Sequence, residues 1–314
     1  MTKRWCVIPL VALSVCFLAR ALVWLHFRDV DASAANLLKT FQQTPTRRYE
    51  APPIVGKIES PICADADTAF ALVSLLIVNG YKHDQYMQGM CKLGQAIRQF
   101  ATIDTILLVA EVGMKLNSDA QIARCGWRVC FVSTIPGPPG HSNRYLEAKM
   151  YTKLRLWQLV QYQAVLYIDL DTLIVRPFGG IFEEHLPAMA DKGLTLGMGS
   201  NSFPDRGDFN AGVMLLLPDR IEFNSLVAGI TSIPHNIELA EQAYLNAYFA
   251  QRIYRLPFAY NSMVSMRPAI PTPWRDSEAI IMHYTCKPWH PYNCWRDQIE
   301  DLCSLWYMAY ADSC

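Results

Sequence analysis

The sequence lacks an excess of charge of either sign. Its 314 residues include 28 basic and 28 acidic side chains, so the formal net charge is zero. Proteins that bind nucleic acid through its phosphates need a basic surface, so we expect no nucleic-acid partner. Charged residues make up only 18% of the chain and hydrophobic residues 52%, which excludes a disordered protein and allows a large buried core.

The sequence also lacks the short C-x-x-C pairs of zinc-binding modules and the N-x-S/T signal for N-glycosylation. Ten cysteines are present, and Cys6 and Cys16 fall in an apolar N-terminal segment. Cys125 and Cys130 lie close together. Four others crowd the C-terminal end: Cys286, Cys294, Cys303 and Cys314. Disulfides fit an oxidising compartment, although the sequence does not give their connectivity.

The first 28 residues differ in composition from the rest. Lys3 and Arg4 precede an apolar stretch from Trp5 to Phe27 that only Arg20 interrupts. A helix of this length crosses a hydrocarbon core of about 30 Å, and the basic N-terminus predicts a cytoplasmic start. We therefore predict that residues 1–28 are the signal anchor of a single-pass type II membrane protein.

Two other interpretations of this segment stay open. The residues Ala32-Ser33-Ala34 fit the cleavage pattern of a signal peptide, which would give a secreted protein. A buried core helix is the third interpretation, and the length and N-terminal position disfavour it. Residues 29–60 contain prolines and no sustained apolar period, so we predict a stem or linker there, followed by a domain at 61–314.

Strands and helices alternate in the middle of the chain. Continuous apolar runs predict buried strands at 70–78, 105–110, 127–132 and 165–168. Helical spacing of apolar residues appears at 86–100 and 146–162. This alternation predicts an α/β domain with a parallel sheet and right-handed crossovers.

Two aspartates follow the fourth predicted strand. Asp169 and Asp171 come directly after the apolar residues VLYI, and residues two apart in an extended chain point to the same side. Ligands of α/β folds bind at the carboxyl ends of the strands, and carboxylates there suit Mg²⁺ or Mn²⁺ bound to a phosphate. The alternative is that one aspartate caps the next element and the other is solvated.

Two classes of enzyme place aspartates in this way. Phosphatases of the haloacid-dehalogenase type expect glycine and threonine after the second aspartate. Here Thr172 follows Asp171 immediately and Leu173 comes next, so the spacing does not match. The other class is the glycosyltransferases that use nucleotide sugars.

Five ordered segments decide between these classes: YMQGMCKLGQAI, YTKLRLWQLVQYQAVLYIDLDTLIVRPF, DFNAGVMLLLP, EQAYLN, and LPFAYN followed by IIMHYTCKPW. With them the sequence resembles glycosyltransferase family eight, the glycogenin-like and plant glucuronosyltransferase-like group, from about Thr68 to Trp295. The resemblance implies a GT-A fold, an α/β Rossmann-like and mainly parallel sheet flanked by helices, here preceded by the predicted anchor. It also implies retaining transfer from a UDP-sugar, usually with Mn²⁺ and with Mg²⁺ as an alternative.

The resemblance further implies a metal site. Asp169, Asp171 and His283 match the metal ligands of the family, and an imidazole beside carboxylates suits Mn²⁺ better than Mg²⁺. Lys287, in KPW, matches the lysine that holds the diphosphate, where a cation neutralises charge on the departing UDP. Without the following KPW, His283 would be interpreted as an ordinary core histidine.

Other positions match residues around the UDP-sugar. The resemblance implies that Tyr86 lies against uracil and that Lys153 and Asn210 lie near the donor sugar. It places Gln242 near the anomeric carbon, and we expect Gln242 and Glu241 to steady developing positive charge. Each has a structural alternative: core packing for Tyr86, a solvated helix face for Lys153 and a turn for Asn210.

Three departures from the family pattern are visible. Glu241 stands where the family usually has aspartate, and Cys286 stands where relatives have a glycine near the phosphates. Residues 262–273 contain no tyrosine, whereas glycogenins carry a self-glucosylated tyrosine there. We therefore expect a Golgi transferase with a lumenal catalytic domain that modifies a glycan, glycoprotein or glycolipid. The alternatives are a non-catalytic module of this fold that binds UDP or glycans and, more weakly, a phosphatase.

Overall fold

The structure of the protein is a computed structural model that describes residues 30–40, 48–50, 62–63, 65–77, 83–110, 119–140, 149–200, 208–271, 274–276, 278–285, 287–288, 291–296 and 298–311. Structural statements below concern these residues. The predicted anchor at 1–28 lies outside them. Within them, no helix has both the length and the apolar character needed to cross a membrane.

The helices and strands are numbered along the chain. The helices are α1 (30–40), α2 (His83–Phe100), α3 (Asp119–Arg124), α4 (Leu186–Asp191), α5 (Arg220–Gly229), α6 (Ala240–Phe249), α7 (Pro291–Arg296) and α8 (Glu300–Met308). The strands are β1 (Tyr49–Glu50), β2 (Phe70–Ile77), β3 (Ala101–Thr102), β4 (Asp104–Ala110), β5 (Arg128–Val132), β6 (Ala164–Ile168), β7 (Thr172–Ile174), β8 (Leu196–Ser200), β9 (Phe209–Leu216), β10 (Ile253–Leu256), β11 (Ser262–Met263) and β12 (Ile281–His283). The described residues also form 3₁₀ helices at Met150–Gln158, Ile237–Leu239, Ala250–Arg252, Phe258–Asn261 and Val264–Met266, and a π-helix at Ile181–His185.

Seven of the described strands form one sheet in the order β10-β8-β9-β6-β2-β4-β5. Strand β9 runs antiparallel to its neighbours β6 and β8, and the other neighbouring pairs are parallel. The strands predicted at 70–78, 105–110, 127–132 and 165–168 all lie in this sheet, with small differences at their ends. The predicted mainly parallel α/β sheet is confirmed.

Apolar side chains cover both faces of the sheet, which is why its central strands have no polar face. Leu72 and Leu76 of β2 belong to the layer that includes Met90 and Ile97 of α2. The alternate residue Val73 belongs to the layer on the other face. That layer includes residues of the 3₁₀ helix Met150–Gln158, α5 and α6: Leu154, Trp157, Leu226 and Leu245.

The helix predicted at 146–162 is present as the 3₁₀ helix Met150–Gln158. Its buried residues are Tyr151, Thr152, Lys153, Leu154, Leu156 and Trp157. Because side chains are buried at consecutive positions, the segment is enclosed on more than one side. Apolar spacing therefore indicated a helix here without defining its winding or its buried face.

A small second sheet brings the C-terminal part of the chain to the end of β6. Strand β12 pairs antiparallel with β7 and parallel with β11. This pairing places His283 opposite Thr172. Behind it, Leu173, Met282 and Trp306 are fully buried in one cluster.

Within the stem or linker predicted at 29–60, residues 30–40 are helical. Helix α1 occupies these residues, and its Ala34 is fully buried in the cluster that contains Trp306, with Leu37 and Leu38 packed against it. Strand β1 also pairs with β3. The apolar residues of α1 occur at i, i+3 and i+4, a stripe too short to stand out as a sustained period.

Three disulfides connect the cysteines that the structure describes as bonded: Cys63–Cys130, Cys91–Cys125 and Cys294–Cys303. The neighbours Cys125 and Cys130 thus pair with different partners. The bond between Cys294 and Cys303 joins α7 to α8. These bonds fit the oxidising compartment that the sequence predicts.

Candidate active site

Asp169 and Asp171 lie in the turn that joins β6 to β7, held from two sides. The Asp169 N–H donates to the carbonyl of Gly212 in β9 at 2.8 Å. The Thr172 hydroxyl donates back to the Asp169 carbonyl at 2.8 Å. From α2, Gly89 approaches so closely that a Cβ atom there would lie 2.0 Å from the Leu170 carbonyl oxygen. The turn therefore depends on the packing of α2 and β9.

His283 is the last residue of β12, and its pairing with β7 brings the ring to these aspartates. Its Nε2 lies 3.5 Å from Asp171 Oδ1 and 3.9 Å from Asp169 Oδ2. One ligand atom from each of the three residues lies within 4.8 Å of the other two. The three predicted metal ligands are thus brought together.

The chemistry of this donor set fits a divalent cation. Two carboxylates and an imidazole nitrogen face one another, and such a mixed oxygen and nitrogen set suits Mn²⁺. Asp171 is 3% exposed and His283 is equally buried, so solvent screens them poorly. Like charges at this spacing repel one another without a cation between them.

Lys287 supplies part of the positive charge. Its ammonium group forms an ion pair with Asp171. Burial raises the pKa of Asp171, but the Lys287 ammonium and His283 together outweigh burial and hold that pKa well below its usual range. Burial lowers the pKa of Lys287, and Asp171 more than reverses this, so the lysine stays protonated. The Lys287 backbone has φ 57°, a left-handed conformation uncommon for residues with a side chain and frequent at functional sites.

Lys153 lies between two carboxylates rather than on a solvated helix face. Its Nζ is 3.0 Å from Asp169 Oδ1 and 2.8 Å from Glu241 Oε1, and the residue is 2% exposed. Burial lowers its pKa, but the two carboxylates outweigh burial and raise it above the usual value. Tyr167, which the sequence did not single out, donates from its hydroxyl to Asp169.

Gln242 and Asn210 are joined by hydrogen bonds. Gln242 Oε1 accepts from Asn210 Nδ2 at 3.0 Å and from the Ala211 N–H at 3.2 Å. Both lone pairs of that oxygen are thereby used, and the Glu241 carboxylate is held by Lys153. The structure thus places Glu241 and Gln242 beside Lys153 and Asn210, and their expected role at the sugar stays a prediction.

The structure also reveals Asn261, a residue to which the sequence assigned no role. Its Nδ2 donates to Asn210 Oδ1 at 3.0 Å, and its Oδ1 contacts His283 Nδ1 at 2.9 Å. The motif LPFAYN contains this residue, but contacts across 22 and 51 positions cannot be read from local spacing.

A cavity opens beside the turn. It is lined by the charged residues Asp169, Asp171 and Lys287, and by the end of β2 together with Tyr86 and Met150. Charged groups together with apolar side chains and an aromatic ring suit a nucleotide diphosphate, whose base is flat and whose phosphates bind cations.

Comparisons with known proteins agree on the family. Residues 139–293 match the family model described as Glycosyl transferase family 8. UDP-glucuronate:xylan alpha-glucuronosyltransferase 2 of Arabidopsis thaliana is 24% identical over 79% of this chain and 40% of its own length. Glycogenin of Komagataella phaffii is 28% identical over 70% of this chain and 57% of its own length. The chain therefore spans about two fifths to three fifths of these relatives.

Solved structures agree on the fold. The glycosyltransferase GlyE of Streptococcus pneumoniae superposes with a TM-score of 0.54 and 18% identity, over 77% of this chain and 63% of its own. An active-site mutant of LgtC gives a TM-score of 0.50 and 17% identity, over 74% of this chain and 95% of its own. Both likenesses support the GT-A fold and, at these identities, the fold alone.

Proposed function

We propose that the chain is a glycosyl transferase of family 8 that transfers a hexose-type sugar from a UDP-sugar to a hydroxyl of a glycan, glycoprotein or glycolipid, with retention of configuration. The observation that carries the proposal is the convergence of Asp169, Asp171 and His283 beside Lys287, next to a cavity that Asp169, Asp171 and Lys287 line. The names of the relatives, which include several that use UDP-glucuronate, support a UDP-sugar as donor.

In this proposal the diphosphate lies in the cavity beside Asp169, Asp171 and Lys287, and uracil lies against Tyr86. Asp169, Asp171 and His283 would hold Mn²⁺, or Mg²⁺, which when bound supplies positive charge to a departing diphosphate. Lys287 donates to the same diphosphate, because it lines the cavity beside Asp171. Lys153 holds the Asp169 and Glu241 carboxylates in place.

The proton of the acceptor hydroxyl needs a base. Lys153 and Lys287 both stay protonated, since nearby carboxylates raise their pKa values. Gln242 Oε1 accepts two hydrogen bonds, and the Glu241 carboxylate is paired through Oε1 with the Lys153 ammonium, which stabilises its charged form. We therefore propose a front-face reaction. The acceptor oxygen bonds to the anomeric carbon while the bond to the β-phosphate oxygen breaks, and that oxygen takes the acceptor's proton.

We also propose that the protein is a single-pass type II Golgi membrane protein with a lumenal catalytic domain, or is secreted after signal cleavage. The basic, then apolar N-terminal sequence supports membrane insertion. The three disulfides support a lumenal or extracellular location.

The test of the transferase proposal is release of UDP by the full chain in detergent. The full chain is needed because α1 packs against the domain. UDP-glucose, UDP-galactose, UDP-N-acetylglucosamine and UDP-glucuronate would each be tested with Mn²⁺, Mg²⁺ or EDTA. We expect release from one donor that depends on Mn²⁺, and a loss of roughly 100-fold or more in Asp171→Asn without loss of folding.

The matched control is Asp191→Asn, an exposed aspartate at the end of α4, which we expect to leave turnover unchanged. Normal turnover by Asp171→Asn would contradict the assignment of the metal site. Binding of UDP without release from any donor, across a panel of glycan acceptors, would favour the non-catalytic module instead.

A further inference from the structure

We propose that Asn261 is a positioning residue that fixes which ring nitrogen of His283 carries the proton, and so turns the bare Nε2 towards Asp169 and Asp171. The inference rests on the proposed function in one respect, because it takes His283 as a metal ligand. Asn261 itself is not one of the proposed ligands. Its orientation follows from hydrogen bonds that involve Asn210 and Gly212 of β9.

Backbone N–H groups fix the orientation of the amide side chains that they contact, because they can only donate. The Gly212 N–H donates to Asn210 Oδ1 at 2.9 Å, so that atom is the amide oxygen. The Ala211 N–H donates to Gln242 Oε1, which also accepts from Asn210 Nδ2. The orientation of the Asn210 amide is therefore fixed at both of its ends.

Asn261 is fixed in turn by Asn210. Its side chain contacts Asn210 Oδ1 at 3.0 Å, and because that oxygen accepts, Asn261 must present its Nδ2 there. Asn261 Oδ1 then faces His283 Nδ1 at 2.9 Å. Asn261 is fully buried, so water does not compete for these bonds.

The Asn261 amide oxygen determines whether Nδ1 of the His283 ring is protonated. An amide oxygen can only accept, so Nδ1 must carry the proton that it donates. In a neutral imidazole the other nitrogen, Nε2, then has a free lone pair, and it is the atom that lies 3.5 Å from Asp171 Oδ1. Hydrogen bonds to the far nitrogen of a metal-binding histidine orient the ring and set its tautomer in this way.

Two glycines provide the space for this arrangement. A Cβ at Gly199 of β8 would lie 2.4 Å from the Asn261 Cβ, and a Cβ at Gly212 of β9 would lie 2.1 Å from His283 Cε1. Neither Gly199 nor Gly212 is one of the described glycines with a positive φ. Their lack of a side chain, rather than backbone freedom, therefore accounts for the fit.

The first experiment measures Mn²⁺ affinity by electron paramagnetic resonance, with the full chain and no donor present. Asn261→Leu removes the acceptor at Nδ1, and we expect the dissociation constant to rise about 10- to 100-fold. Asn261→Asp keeps an oxygen facing Nδ1, and we expect it to bind Mn²⁺ at least about ten times more tightly than Asn261→Leu does. Asn224→Leu, at an exposed position of α5, is the control and should match the wild type.

The outcomes separate the inference from the proposed function. If the wild type does not bind Mn²⁺, the proposed metal site is wrong. If the wild type binds and Asn261→Leu binds equally well, Asn261 has no positioning role. If both variants lose the same affinity, Asn261 contributes packing alone and the inference is overturned.

A second experiment needs no folded variant at Asn261. Long-range ¹H–¹⁵N spectra of metal-free wild-type protein labelled at histidine report the tautomer of each ring, and the signals lost in His283→Gln identify His283. We expect Nδ1 to carry a proton, because it donates to Asn261 Oδ1. A ring with a bare Nδ1 would overturn the inference.

Discussion

Two clusters of charged side chains lie at opposite edges of the same sheet, and they differ in what their atoms require. At the amino ends of the parallel strands, Asp104 Oδ2 accepts from the Asp67 N–H at 2.8 Å and from the Tyr162 hydroxyl at 2.9 Å, and it pairs with Arg128 at 3.0 Å. Each of these contacts joins Asp104 Oδ2 to a donor. The charge of this carboxylate is therefore balanced by protein groups, without an added cation.

The cluster at the carboxyl ends is different. Lys153 pairs with Asp169 Oδ1 and Lys287 pairs with Asp171 Oδ2, but the other oxygens, Asp169 Oδ2 and Asp171 Oδ1, face His283 Nε2, which is an acceptor in the proposed tautomer. Asp104 and Asp171 are both buried, at 8% and 3% exposure, so burial does not distinguish the two clusters. The balance of donors and acceptors does, because a group of acceptors that face one another is completed by a cation. This difference separates a structural cluster from a candidate active site.

The largest effect that we expect comes from Gly212→Ala. The added Cβ would lie 2.1 Å from His283 Cε1, so the imidazole must move away from the carboxylates. We expect Mn²⁺ affinity, measured by electron paramagnetic resonance, to fall by about 100-fold, and UDP release to fall with it. The Asp104 cluster lies at the other edge and should be unaffected.

The control for this substitution is Gly197→Ala in β8. Its added Cβ would meet the sulfur of Met189 at 3.0 Å, and a methionine side chain can move aside. Mn²⁺ binding by Gly212→Ala that equals that of Gly197→Ala would show that the ring position does not matter to the metal.

A smaller effect, of another kind, is expected from Asp104→Asn. The substitution removes the charge that pairs with Arg128 and leaves that cation beside the exposed Asp67. We expect a loss of about 1–3 kcal/mol in the free energy of unfolding, measured with urea, because a buried carboxylate with several donors is altered. Mn²⁺ affinity and turnover at 25 °C should stay as in the wild type. A loss of Mn²⁺ affinity in the folded variant would mean that the two clusters are coupled.

The same contrast explains what the sequence could reveal. Strand β2 and the site of Asp169 and Asp171 were predictable because a continuous apolar run followed by polar residues is a local signal. His283 was assigned through a resemblance over several ordered segments, including the KPW that follows it. Lys153 was open to interpretation as a solvated residue, because its burial between two carboxylates depends on how the 3₁₀ helix packs.

Other features had no local signal. The role of Asn261 depends on Gly199 and Gly212 lying in adjacent strands, which fixes contacts between residues far apart in the chain. Asp104 at the start of β4 was equally unmarked, because one aspartate at the start of a strand is ordinary. Helix α1 escaped prediction since its apolar stripe is short. In each case the information lies in strand register or tertiary packing, which local patterns do not contain.

The smallest effect is expected at Glu241. This residue lies in the active-site cluster, but its carboxylate pairs with a protein cation, Lys153, as that of Asp104 pairs with Arg128. Its carboxylate pairs with Lys153 at 2.8 Å and is not one of the three grouped ligands. Burial raises the pKa of Glu241, and Lys153 only partly offsets this. Glu241→Asp withdraws the carboxylate by one methylene and installs the residue usual in the family. We expect turnover to change by no more than about tenfold, the equivalent of one hydrogen bond, with Mn²⁺ affinity unchanged.

The control for this substitution is Glu238→Asp, at an exposed position just before α6, which should leave both quantities unchanged. If Glu241→Asp lowers Mn²⁺ affinity as much as turnover, the Lys153 pair helps to hold Asp169 in its ligand position, since the same ammonium contacts Asp169 Oδ1 at 3.0 Å. Lys153 would then belong to both groups, because it pairs with Glu241 and also holds a proposed metal ligand, Asp169. If turnover alone falls, Lys153 and Glu241 act on the sugar side of the site, and the cation depends on Asp169, Asp171 and His283.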